Sequence, residues 1–160
     1  TFIGPPEKEI RNIISKRKEW EYTIRGGSKP KDWIRAIEYE MGLQTVLAER
    51  TPKHMKHKHI HSVKKRIAAL YARALIRFKG HSYKLIFRKY IVYLRSLNKT
   101  TGISRRYAKA LQLYPMDTDY WIEAAQWEIA DNRNPDNARG LMQQALRLHP
   151  QDQGVHLAYF

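Results

Sequence analysis

The sequence contains no cysteine, which removes disulfides, thiolate zinc sites and cysteine nucleophiles together and argues against a small secreted scaffold. No stretch approaches the roughly 20 uninterrupted apolar residues of a membrane-spanning helix, and the start lacks the basic-then-apolar order of a signal peptide. A membrane is therefore not expected as a partner. The third absence is the most informative. Between Glu49 and Asp117 there is not one acidic residue, whereas Lys and Arg number 18 over the same stretch. Average composition would place about eight acids there. The region before it is close to balanced, with 9 basic against 8 acidic residues, and the region after it is net acidic, with 3 against 7. The whole excess behind the net charge of +15 therefore lies in the middle of the chain. Something anionic is expected to face that region.

What is present supports a packed core, since 42% of the 160 residues are hydrophobic. The chain opens on Thr1 and stops at Phe160 inside a helical pattern, so it is expected to be a piece of a longer protein. Trp33, Tyr39 and Glu40 recur as Trp121, Trp127 and Glu128, an aromatic followed by a second at +6 and a glutamate at +7. A weaker copy pairs Phe87 with Tyr93, and another begins around Val155, His156 and Tyr159. Downstream of each stands a second signature: Ala74 with Phe78, Ala110 with Tyr114 and Pro115, Ala145 with His149 and Pro150, the alanines lying 36 and 35 residues apart. Two apolar-periodic segments per unit at that period indicate stacked antiparallel helix pairs.

The expected fold is therefore all-α, an α-solenoid of antiparallel helix pairs with an N-terminal leader helix. Residues 1–30 form the leader and its turn; residues 31–160 form the array, divided into 31–80, 81–116, 117–150 and the start of a further repeat at 151–160. First helices are predicted near 31–49, 82–97 and 118–131, and second helices near 63–79, 103–114 and 135–148. Trp33 and Ala74 lie 41 residues apart, against 23 for Phe87 and Ala110 and 24 for Trp121 and Ala145. The first repeat therefore carries an insertion near 51–61. Asn134, Pro135 and Asp136 read as a helix start, with a capping side chain, a proline in the first turn and an acid at the positive end of the helix dipole.

The aromatic stripe offers stacking surfaces for nucleobases, but recurrence at helical spacing is the mark of packing positions. Trp33, Tyr39, Glu40, Ala74, Phe87, Tyr93, Ala110, Trp121, Trp127, Glu128 and Ala145 are accordingly assigned to repeat packing. His54, His57, His59 and His61 could bind a metal through imidazole, yet no carboxylate lies within the insertion and Lys53, Lys56 and Lys58 would repel a cation. No metal or cofactor is expected. Gly26, Gly27, Ser28 and Lys29 lack the full spacing of a phosphate loop and read as a turn. Asp117 and Asp119 stand at a helix start, where capping explains them better than acid–base chemistry. No catalytic residue and no small-molecule substrate is expected. The basic block is what remains: Lys53, Lys56, Lys58, Lys64, Lys65 and Arg66 make its densest part, with Arg88, Lys89, Arg105 and Arg106 as secondary groups. Such cations contact RNA phosphates without reading sequence, and an acidic segment of a protein partner would satisfy them equally.

The aromatic, aromatic and Glu of the first helix, followed by Ala, Leu and a terminal Pro in the second, resemble the half-a-tetratricopeptide (HAT) repeat typical of RNA-processing assemblies. The tetratricopeptide repeat fits less well, because Ala36-Ile37 and Ala124-Ala125 stand where it has Leu-Gly. Glu9-Ile10, Ile13 to Arg17, Glu21-Tyr22 and Asp32 to Glu40 resemble the leader and first repeat of the U3 small nucleolar RNA-associated protein 6 family. Trp121 to Glu128, Ala138-Arg139 with Leu141, and Ala145 to Pro150 resemble its third repeat. The resemblance implies a nucleolar, non-catalytic subunit of the UTP-B subcomplex of the small-subunit processome, serving pre-18S ribosomal RNA processing. It also implies WD40-propeller subunits as protein partners and U3 small nucleolar RNA or the 5′ external transcribed spacer of pre-rRNA as RNA partners. The alternative is a HAT-repeat scaffold or dimerisation subunit of a splicing or mRNA 3′-end processing complex. The matched positions are packing positions, so the resemblance assigns no binding residue, and the histidine- and lysine-rich stretch from Lys53 to His61 is its least family-like part.

Overall fold

The computed structural model describes residues 5–160, apart from the side chains of residues 55–59. The described residues form helices and turns and no strand. In chain order the helices are α1 (Glu7–Arg25), α2 (Pro30–Arg50), a 3-10 turn (Lys53–Met55), α3 (Lys56–Arg77), α4 (Gly80–Ser96), α5 (Thr100–Leu113), α6 (Thr118–Ala130), α7 (Pro135–Leu148) and α8 (Gln153–Tyr159). The chain divides into two compact units, the first ending at Tyr90 and the second opening at Ile91, so α4 contributes residues to both. In the first unit α1 packs on α2 and α2 on α3; in the second, α5 packs on α6, α6 on α7, and α8 on both α7 and α6. This neighbour-on-neighbour packing is that of the all-α solenoid class.

Helix ends follow from local chemistry. Pro30 and Pro135 occupy the first turns of α2 and α7, where a missing N–H costs nothing. Asp32 accepts a hydrogen bond from the Lys29 amide at 2.9 Å, Asn134 from the Asn137 amide at 3.1 Å, and Asp152 from the Val155 amide at 3.0 Å. The second helices end alike. The amides of Phe78, Tyr114 and His149 donate to the carbonyls of Ala74, Ala110 and Ala145 at 2.9, 2.8 and 2.8 Å. Tyr114 and His149 then leave the helix with almost the same backbone angles, φ −132°, ψ 58° and φ −129°, ψ 61°. A proline follows each, and proline pushes the residue before it out of the helical region. Gly80, at φ 58°, adopts the left-handed turn that joins α3 to α4.

The insertion has a simple form: α2 and α3 run for 21 and 22 residues, against 13 and 14 for α6 and α7. Instead of starting near residue 63, α3 starts at Lys56. Pro52 interrupts α2, with Thr51 extended at φ −90°, ψ 125°, and no glycine or proline follows before Gly80 to delay or break the next helix.

The repeat alanines Ala74, Ala110 and Ala145 are fully buried at 0% exposure, because any larger side chain there would hold the neighbouring helix away. Trp33, Phe87, Tyr93, Trp121 and Trp127 are buried as well. The three repeat indoles each find an acceptor: Trp33 donates to Ser28 Oγ at 2.8 Å, Trp121 to the Pro115 carbonyl at 2.8 Å and Trp127 to Ser104 Oγ at 3.1 Å. The Pro115 carbonyl lies also 2.9 Å from Nε2 of His149, one repeat later. At the start of α8, His156 Nε2 lies 2.9 Å from the Pro150 carbonyl, as Trp121 does from Pro115. Tyr39 departs from the expectation of a core aromatic and is only half-buried.

Trp121→Ala removes a buried aromatic and leaves the Pro115 carbonyl one donor short. It is expected to cost about 3–5 kcal/mol in denaturant unfolding; a loss below about 1 kcal/mol would show that the indole is not a packing element.

Candidate nucleic-acid interface

The acid-free stretch draws its counter-charges from helices outside it. Arg50 places Nη1 at 2.8 and 2.9 Å from the Glu9 carboxylate on α1. On α3, Arg66 donates through Nε to Glu40 Oε1 at 2.8 Å and lies 3.5 Å from Glu21 through Nη2; Arg73 donates to both Glu21 oxygens at 3.0 and 3.2 Å. In the second unit Arg95 pairs with Asp131 at 3.1 Å. The guanidinium fork matches a carboxylate in a way that an ammonium does not, which accounts for arginines taking these inward roles.

The tightest of these sites is Glu40, 2% exposed on α2. Arg17 of α1 grips both of its oxygens, Nε on Oε1 and Nη2 on Oε2, each at 2.8 Å, while Arg66 approaches Oε1 from α3. One carboxylate thus ties three helices. The Glu21 carboxyl is held below its ordinary value chiefly by the hydrogen bonds from Arg73, with the charges of Arg73, Arg66 and Arg25 assisting against partial burial. The neighbouring Tyr39 hydroxyl is pushed up by burial and by the Glu40 charge. Glu128, the equivalent of Glu40 in the second unit and equally buried, accepts from Asn132 Nδ2 at 2.7 Å. The two repeat glutamates therefore occupy the same position with different partners.

Arg66, grouped in the sequence with Lys64 and Lys65, is a half-buried part of the tie. Its role was hidden because Glu40, Glu21 and Arg66 are far apart in sequence. Arg17, its counterpart on α1, carried no signal beyond lying in a mixed-charge helix. The lysines behave differently. Lys53, Lys65 and Lys89 are exposed, and Lys64 is half-buried. Arg105 is exposed; Arg88 is exposed and Arg106 half-buried, both already engaged in interactions. The side chains of Lys56, Lys58, His57 and His59 lie outside the described residues. Exposed cations that the sequence did not single out include Arg77 and Lys79, at the turn between α3 and α4, and Lys99 and Lys109 in the second unit. Among the described residues no group of three or more His, Asp or Glu side chains is placed to hold a metal ion, and no helix is long and apolar enough to cross a membrane.

A family model described as U3 small nucleolar RNA-associated protein 6 matches residues 6–71. The homologue of that protein from Mus musculus is 28% identical over 95% of the chain, and the protein from Schizosaccharomyces pombe is 29% identical over 95%. The chain is similar to U3 small nucleolar RNA-associated protein 6 along nearly its whole length. A Dictyostelium discoideum homologue extends the similarity, at 26% identity over 96% of the chain. The chain spans 26% of the mouse relative and 32% of the fission-yeast relative. The segment matched by the U3 small nucleolar RNA-associated protein 6 model contains Arg17, Glu21, Glu40 and Arg66, so the whole carboxylate tie at Glu40 lies within it.

The depressed Glu21 acidity has a pH signature. A group whose folded value lies below its unfolded value contributes stability that is complete above the unfolded value and is lost as pH falls through the folded one. Urea midpoints are expected to drop as pH is lowered below 4.5, the ordinary value of the carboxyl, and Glu21→Gln should shallow that drop. An identical acid dependence in the variant would show that Glu21 contributes nothing through Arg73.

Proposed function

We propose that the chain is part of a non-catalytic scaffold subunit of the nucleolar small-subunit processome, within its UTP-B subcomplex, supporting pre-18S ribosomal RNA processing and small-subunit biogenesis. The observation that carries this reading is the similarity, over 95% of the chain, to proteins named for association with U3 small nucleolar RNA. In this role the helix pairs hold WD40-propeller subunits, and exposed cations touch U3 small nucleolar RNA or the 5′ external transcribed spacer. Packing supports the division of labour. The arginines nearest the acids of α1, α2 and α6 are spent on internal pairs, while Lys53, Lys65 and Lys89 are turned to solvent. An ammonium on a flexible stem is a strongly hydrated point charge, suited to phosphates whose positions vary. Binding of this kind is driven by counterion release and carries little sequence preference.

Titration of the protein with labelled single-stranded RNA at several salt concentrations tests the RNA arm. With about 0.7 of slope per phosphate contact, four to six contacts give a log–log slope of roughly −3 to −4. Replacing Lys64, Lys65 and Lys89 by glutamate should weaken binding to all sequences alike and flatten the slope by about 2, with the helical circular-dichroism signal unchanged. Arg66 is left intact in this variant, since its loss would disturb the tie at Glu40. Unchanged RNA affinity would remove direct RNA contact from the proposal.

A further inference from the structure

The leader helix α1 buries only Ile24 fully. On its outer side Ile10 is 43% exposed, Ile14 48% and Tyr22 83%. With Lys18 between them, these residues recur every fourth position and form one slanting row along the helix. A single exposed apolar side chain is ordinary, whereas a row of three along one face marks a surface that something covers.

The row opens into a groove of about 520 Å³ lined by Ile14, Tyr22, Lys18 and Arg25 together with Arg17, Glu21 and Arg66. The charges of this groove are unevenly committed. Arg17 and Arg66 are held by Glu40, and the Glu21 carboxylate is held by Arg73 and Arg66. Lys18 and Arg25 are exposed and make the surplus. A second hollow of about 800 Å³ shares Tyr22 and Arg25 and adds the exposed Lys29 and Lys31 of the α1–α2 turn and the start of α2. An apolar row therefore runs beside a track of four cations, all within the first unit.

We propose that this outer face of α1 docks an acidic amphipathic segment of a partner protein. Apolar side chains of the segment pack on Ile10, Ile14 and Tyr22, and its carboxylates meet Lys18, Arg25, Lys29 and Lys31. The pairing of apolar anchors at one-turn spacing with cations alongside is the complement of an amphipathic helix bearing acids on its flank. An RNA strand is the poorer occupant. Tyr22 could stack on a base, but Ile10 and Ile14 would then lie against a sugar–phosphate chain and gain no apolar burial. The proposal rests on the scaffold reading to the extent that it supplies a protein partner, but its surface is separate from the lysines of α3 and α4 assigned to RNA.

The test places a photo-crosslinker on the face, as Tyr22→p-benzoylphenylalanine in the full-length protein within its assembly, and identifies the crosslinked fragment by mass spectrometry. The expected product is a segment of another protein with an excess of Asp and Glu and apolar residues at helical spacing. Its yield should fall about tenfold when Lys18→Glu and Arg25→Glu are added, and again when Ile14→Ser is added. The changes Lys64→Glu, Lys65→Glu and Lys89→Glu should leave the yield unaltered, so that failure of RNA binding and failure of this surface are read separately. Crosslinking to RNA, to another part of the same chain or to nothing, or a yield indifferent to Ile14, Lys18 and Arg25, overturns the proposal.

Discussion

The Glu40 carboxylate, buried between Arg17 and Arg66, is the constraint on which the first unit depends. A carboxylate removed from water is stable only when its charge is matched and its lone pairs are filled. Here three guanidinium hydrogen bonds of 2.8 Å do both. Such a site adds little net stability over a well-packed apolar cluster, yet losing its partners is costly. Its effect is thus on arrangement: any placement of α1 that withdraws Arg17, or of α3 that withdraws Arg66, leaves a buried charge underpaired. Glu21 adds a second layer, receiving Arg73 and Arg66 from α3. Arg73 also covers the Trp33 ring, its guanidinium carbon 5.3 Å from the ring centroid, and so couples the ionic layer to the aromatic core.

The second unit uses the same positions with milder chemistry. Glu128 accepts from Asn132 on its own chain segment, and Arg95 stands over Trp127 at 5.3 Å while pairing with Asp131. Register between repeats is carried instead by the carbonyl of Pro115, which is approached by Trp121 and His149, both of the following repeat. The small alanines permit this closeness. A helix carrying larger groups at Ala110 or Ala145 could not approach its neighbour without the strain of overpacking.

Much of the fold was legible because its signals are local. Periodicity marked the helices, Pro115, Pro135 and Pro150 marked ends and starts, and the recurrence of Trp33 as Trp121 exposed the repeat. The early start of α3 was not legible, since Lys56 to His61 carries no apolar period of its own, and a polar helix end looks like a loop in sequence. Charge was legible only as a sum. The surplus between Arg50 and Met116 is genuine, but which cations face solvent depends on acids brought from α1, α2 and α6. Arg66 therefore reads as one of a basic run with Lys64 and Lys65 until Glu40 is seen beside it. The exposed row on α1 was hidden for a related reason: Ile10, Ile14 and Tyr22 look like core positions until the helix is seen to bury its other side.

The ionic tie holds the outer helix α1 in place without burying it. Arg17 reaches inward to Glu40 while Lys18, the next residue, remains exposed. Amide hydrogen exchange on the Glu40→Gln variant tests this directly, because the substitution keeps the shape of the side chain and removes its charge. The amides of α1 should lose protection well before those of α6 and α7, whose packing does not involve Glu40. Protection of α1 equal to that of the unmodified protein would contradict the central role given to the carboxylate.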